Sequence, residues 1–135
     1  MPKRIRTRTV TAAHVRGYVA KAEEYAAAAS TELEAGRGIA ATSLAVHAAI
    51  NSADAVCGAR LGKRAAGQDH DQVLVLLKQA GKDGADIEKE LRRLLPMKTK
   101  AEYDPDDIPL STASKAVDRA HRCLTVARRV RPPSR

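Results

Sequence analysis

Ser43-Leu44-Ala45-Val46-His47-Ala48-Ala49-Ile50-Asn51-Ser52-Ala53-Asp54-Ala55 lies in the middle of an alanine-rich run from about Ile39 to Lys63. A helix wound from this run is apolar on most sides, the pattern of a helix surrounded by other helices. Alanine combines the best helix propensity with a side chain small enough to let neighbouring helices approach closely. The run therefore predicts the central helix of an all-α bundle. His47, Asn51 and Asp54 are spaced four and then three residues apart, so they share one stripe of that helix. A polar stripe of this kind is either satisfied by hydrogen bonds to neighbouring helices or lines a pocket or a dimer seam. No metal site is indicated, because His47 and Asp54 are two turns apart and no third ligand is evident.

On the N-terminal side, Val15, Val19, Ala22, Ala26, Ala29 and Leu33 recur at helical spacing and predict a first helix from about Thr11 to Ala35. Gly36 and Gly38 end it. On the C-terminal side, Asp69 with Gln72 predicts the cap of a third helix, whose buried face is Val73, Leu76, Leu77 and Ala80. Gly81 and Gly84 stop that helix, and Asp83 is placed to cap a fourth with the stripe Ile87, Leu91, Leu94 and Leu95. Pro96 is expected to bend or break the fourth helix, since proline lacks an N–H and clashes with the preceding turn. Asp104–Pro109 reads as a loop. Ser111 is placed to cap the last helix, with Ala113, Ala116, Ala120, Leu124 and Ala127 along its stripe. The expected architecture is an up-and-down bundle of about five helices. It divides into a basic N-terminal arm (1–10), one helical domain (11–130) and a C-terminal tail (131–135).

Composition limits the chemistry. With 135 residues the chain supports one core. It has no Trp and no Phe, and Tyr18, Tyr25 and Tyr103 are its aromatic residues, which counts against base-stacking platforms for single-stranded nucleic acid. The net charge of +8 is concentrated at the ends. Lys3, Arg4, Arg6, Arg8 and Arg16 precede any acid, and Arg119, Arg122, Arg128, Arg129, Arg131 and Arg135 close the chain without one. Lys3, Arg4, Arg6, Arg8, Arg128, Arg129 and Arg131 are therefore candidates for sequence-independent phosphate contacts, the alternative being solvated tails. Cys57 and Cys123 sit in alanine-rich helical patterns and read as reduced, buried residues. No apolar leader follows Met1-Pro2-Lys3-Arg4 and no stretch reads as a membrane span, so a cytoplasmic location is expected. No glycine-rich phosphate loop, cysteine zinc pattern or Ser/His/Asp arrangement is present, and no cofactor is expected.

Taken in order, the run from Ser43 to Ala55, the loop to His70, the pairs Leu76-Leu77 and Leu94-Leu95, the segment Lys98…Ala101-Glu102-Tyr103-Asp104-Pro105 and the closing amphipathic helix resemble the HEPN family (higher-eukaryote and prokaryote nucleotide-binding domains). The resemblance extends from about Thr11 to Arg129. It implies a helical bundle, commonly a homodimer, associated with RNA or nucleotides. It also admits a protein partner such as a nucleotidyltransferase-like subunit and a setting in toxin–antitoxin or defence systems. Nuclease members of the family carry an Arg, four to six residues and a His before the last long helix, where Arg steadies the scissile phosphate and His moves a proton. Here those positions fall near Lys98 and near Glu102 or Tyr103, and neither of the latter replaces an imidazole at neutral pH.

The resemblance thus implies a non-catalytic module that binds a nucleotide, RNA or a protein. Its contacts would be Lys98, Lys100 and Tyr103 at the family's functional turn, with His47, Asn51 and Asp54 lining a pocket. Two other readings are a metal-independent RNase with a non-standard residue set, and a small basic DNA-binding protein working through its arginine-rich ends. Arg64 and His70 also have five residues between them. They lie in another loop, however, and His70 reads there as structural. His14 and His121 read as solvated.

Overall fold

In the computed structural model, residues 5–67 and 70–134 are described. In chain order the elements are β1 (Thr7–Thr9), α1 (Ala12–Glu34), α2 (Gly38–Leu61), β2 (Lys63–Ala65), α3 (His70–Lys78), α4 (Gly81–Glu102) and α5 (Leu110–Arg129). The all-α bundle expected from the alanine-rich run is what forms. Helix α2 is its axis: α1, α4 and α5 all pack on it, and α3 packs mainly on α4. Alanines at positions 41, 45, 48, 49, 53 and 55 of α2 are fully buried. The bulk that fills the space around them comes from Leu76 and Leu77 of α3, Ile87, Leu91 and Leu94 of α4, and Leu124 of α5. Small side chains on the axis let three long helices close around it, and branched ones from the periphery fill the gaps.

Two short strands were not expected. Thr7–Thr9 pairs antiparallel with Lys63–Ala65, Thr7 opposite Ala65 and Thr9 opposite Lys63. Three residues with no apolar alternation carry no readable strand signal; the ribbon exists because Val10 (6% exposed) packs on Gly58 and brings β1 beside the chain leaving α2. Gly62, in the left-handed region at φ 71°, ends α2 and turns the chain into β2.

The fourth helix corrects an expectation. Pro96 neither ends nor divides α4, which continues to Glu102. Leu91 and Leu94 before Pro96 are buried, and Met97 and Ala101 after it pack against the same core, so apolar contact on both sides outweighs the roughly 3 kcal/mol that an internal proline costs. The segment Leu94–Glu102 is therefore helix, with Tyr103 as its C-cap, and the irregular chain begins at Asp104.

Two caps also differ from expectation. Asp83 lies inside the first turn of α4, where it receives Arg60 from α2 (2.5 Å) and Arg129 from α5 (3.5 Å). Pro109 occupies the cap position of α5, whose end carries no side-chain cap, so Ser111 falls inside the helix. The Asp69 cap lies outside the described residues. At the start of α1, Thr11 and His14 cap each other reciprocally at 3.1 and 3.2 Å.

Glu90, 5% exposed, is the one charged residue of the buried set among the described residues. It accepts from Arg119 at 2.8 Å and Arg122 at 3.0 Å and so fixes α5 on α4. Burial raises the cost of its charge, but the hydrogen bonds from Arg122 and Arg119 outweigh it and hold the carboxyl below its ordinary range. Cys57 and Cys123 are both buried and unbridged, and burial pushes each thiol up to about 12. Among the described residues no helix is long and apolar enough to cross a membrane.

Candidate functional site

The arginines of the C-terminal end have partners elsewhere in the bundle. Arg128 and Arg131 both reach Glu23 of α1, at 2.9 and 3.3 Å, and Arg129 reaches Asp83 and Asp86 of α4. These arginines are occupied in closing α5 onto α1 and α4, which leaves less charge for an external phosphate than the sequence suggests. Arg6 and Arg8 are exposed on or beside β1, with no ion pair to another described residue. Lys3 and Arg4 lie outside the described residues.

The polar stripe of α2 splits in two. His47 stacks on Tyr25 of α1, with centroids 5.4 Å apart, and its Nε2 lies 3.4 Å from Glu102 Oε1. Asn51, 9% exposed, donates to the His47 carbonyl at 2.8 Å, so its amide is used within the helix. Asp54 lines a cavity, and among the described residues no hydrogen bond or ion pair reaches it.

That cavity, of about 370 Å³, is walled by Ile50 and Asp54 from α2, Arg64 and Ala65 from β2, Ala66 and Gly67 from the following loop, His70 and Val73 from α3, and Lys98 from α4. Its size falls within the range of small-molecule sites. Arg64 is held in place on the wall: its guanidinium lies over the Tyr18 ring at 5.9 Å and donates to the Ala65 carbonyl at 3.0 Å. Lys98 reaches the cavity while donating to Glu102 at 3.2 Å and lying 5.9 Å from the Tyr103 ring. Through Glu102, Lys98 links the cavity to the His47–Tyr25 pair. That same Lys98 hydrogen bond is the main cause holding the Glu102 carboxyl below its ordinary range, with His47 adding to it.

Burial pushes Asp54 up to about 7, while Arg64 and Lys21 pull in the other direction. Two cations, an imidazole and a carboxyl poised near neutrality therefore converge on one concavity. Among the described residues no three His, Cys, Asp or Glu side chains assemble as a metal group.

Of the residues singled out at the end of α4, Lys98 alone lines this cavity. Lys100 is exposed, and Tyr103 is 73% exposed at the C-cap. Arg64 and His70, set aside in the sequence as lying in the wrong loop, are brought into the cavity opposite Asp54 and Lys98. The signal for them was present in their spacing; what the sequence lacked was the ribbon that places β2 over the middle of α2. His121, read as solvated, meets Ser30 at 2.9 Å across α1 and α5.

Among curated proteins none matches this chain. The sequence pattern of the HEPN domain matches residues 15–133, nearly the whole chain and every helix described above. The chain belongs to the HEPN domain family.

Proposed function

We propose that this protein is a binding module of the HEPN family that takes a nucleotide in the cavity between α2, β2, α3 and α4. The observation that carries the reading is the convergence there of Arg64 and Lys98, from separate elements, on one 370 Å³ concavity. A phosphate is the group that such a pair recognises: guanidinium supplies a planar fork of donors and ammonium a point charge. The apolar walls, Ile50 and Val73, provide the faces that a base needs.

Titration calorimetry with nucleoside 5′-monophosphates is the direct test. Binding should weaken with added salt, and Arg64→Ala should weaken it by roughly tenfold to a hundredfold, the worth of a charge-assisted hydrogen bond. Lys100→Ala, outside the cavity, should leave it unchanged. Equal loss from both substitutions would point to diffuse electrostatics and end this reading.

A second reading is favoured by the joint placement of Arg64 and His70. A guanidinium to steady a phosphate and an imidazole to move a proton are the minimum set for cleavage of RNA by its own 2′-hydroxyl. On that reading, RNA cleavage persists in EDTA and is abolished by His70→Ala, whereas Tyr103→Phe leaves it intact. The same RNA left whole by the unaltered protein would leave the binding function alone standing.

A further inference from the structure

Among the described residues Asp54 is the one polar side chain of the α2 stripe that no hydrogen bond or ion pair reaches, and it is half-buried in the wall of the cavity that holds Arg64 and Lys98. Half-burial without a donor from the protein disfavours its charge, and nothing in the packing of α2 requires a carboxyl there: Ala53 and Ala55 beside it are fully buried. The cost is recovered if a ligand brings the donors. A carboxylate has two oxygens in one plane, so its best partner is a pair of adjacent N–H groups in one plane. Arg64 and Lys98 require that the same ligand be anionic elsewhere.

We infer that the cavity selects a guanine nucleotide, Asp54 accepting the paired N1–H and N2–H of the base edge while Arg64 and Lys98 hold the phosphate. This rests on the nucleotide-binding reading above and names its base. Guanine offers two neighbouring donors on that edge. Adenine and cytosine each set a ring nitrogen acceptor beside their amino group, and uracil sets a carbonyl on either side of its single N–H. Against Asp54 those acceptors repel, so the carboxylate discriminates as well as attracts. The other small-molecule class with the same chemistry, a planar N–H pair joined to an anion, is free arginine, and it belongs in the test.

The groups facing Asp54 are Lys21 from α1, Arg64 from β2, His70 from α3 and Lys98 from α4. Because Asp54 must be ionised to accept both donors and its carboxyl titrates at about 7, guanine binding should fall about tenfold between pH 8 and pH 6. The phosphate titrates for every nucleotide alike, so the GMP-to-AMP affinity ratio isolates the Asp54 contribution.

The experiment is calorimetry of the full chain with GMP, AMP, CMP, UMP and L-arginine at pH 8 and pH 6, repeated with Asp54→Asn. Expected is GMP binding at least tenfold tighter than the other nucleotides at pH 8, a preference that shrinks at pH 6 and is lost in the Asn variant. That variant should still bind all four nucleotides weakly through Arg64. Equal affinity for the four nucleotides overturns the guanine assignment and leaves nucleotide binding standing. Arginine binding tighter than GMP overturns it in favour of an amino-acid site. No binding of any nucleotide removes the reading beneath it as well. A GMP preference that survives Asp54→Asn shows that another group reads the base and also overturns the inference.

Discussion

A Gly84→Ala chain should melt about 10 °C or more below the unaltered protein. In an exposed helix interior the same change gains up to about 1 kcal/mol, because alanine restricts the unfolded chain and glycine does not. At Gly84 the environment reverses the sign. The residue is buried in the first turn of α4, and a Cβ there would fall on the carbonyl oxygen of Leu77, with the Ala80 Cβ 2.7 Å away and the Leu77 carbonyl carbon at 3.1 Å. A backbone carbonyl in the last turn of α3 cannot rotate aside as a flexible side chain would. The collision can be relieved only by moving α3 relative to α4, and overpacking of that kind costs about 3 kcal/mol. Helix α3 also carries His70 and Val73 of the cavity wall. On the proposed function the variant should therefore lose nucleotide affinity along with stability. Gly17→Ala in α1, where nothing lies within 4 Å of the added Cβ, is the control and should melt slightly higher. Thermal unfolding of the three chains side by side decides the matter; a Gly84→Ala chain as stable as the Gly17→Ala chain would show that α3 has freedom to move.

Asp54→Asn should do the opposite, stabilising the free protein at high pH. The direction follows from linkage. The folded-state value of Asp54, about 7, lies above its ordinary 3.8, so the folded protein binds this proton more tightly than the unfolded chain does. Stability contributed by the protonated group is whole below pH 4 and is lost as pH rises towards 7. Raising the carboxyl from 3.8 to about 7 corresponds to a loss on the order of 4 kcal/mol once the pH exceeds 7. Glu90, Asp83 and Glu102, held below their ordinary range by arginine and lysine partners, behave inversely: their contribution is present above about pH 4 and lost below it. The two windows barely overlap, so denaturant unfolding between pH 5 and pH 8 reports mainly on Asp54. The Asn variant should show a flatter profile there and a melting temperature about 10 °C higher at pH 8, converging with the unaltered chain near pH 4. A parallel decline of both chains from pH 5 to pH 8 would place the carboxyl in water. On the proposed function Asp54 weakens the free fold and strengthens the complex, the trade-off expected of a residue kept for binding.

The helices were largely legible because their signal is local. Alanine content, the period of Val15, Val19, Ala22, Ala26 and Ala29, and the glycines after α1 and α2 report on short-range propensity and on one buried face. A break at Pro96 was the wrong alternative for the complementary reason. Its penalty is local, but the contacts of Met97 and Ala101 that override it are not.

The site was the least legible part, since the sequence spreads it over residues 50 to 98. Of the residues that line the candidate cavity, Asp54 stood out in the sequence through its place on a stripe and Lys98 through the resemblance. Lys100 and Tyr103 were grouped with Lys98 along a segment that is helix as far as Glu102; Lys100, two residues on, points away from the cavity side, and Tyr103 meets Lys98 only at the exposed C-cap.

By itself, the sequence determined that this chain is an alanine-cored helical bundle with basic ends, because helix formation and apolar periodicity are properties of neighbouring residues. Tertiary structure decided which charges are available for function. Glu23 and Asp83 draw in Arg128, Arg129 and Arg131 from far along the chain, and the β1–β2 ribbon sets Arg64 across from Asp54 and Lys98. Charge pairing depends on distance in space, and only the packed bundle fixes that distance.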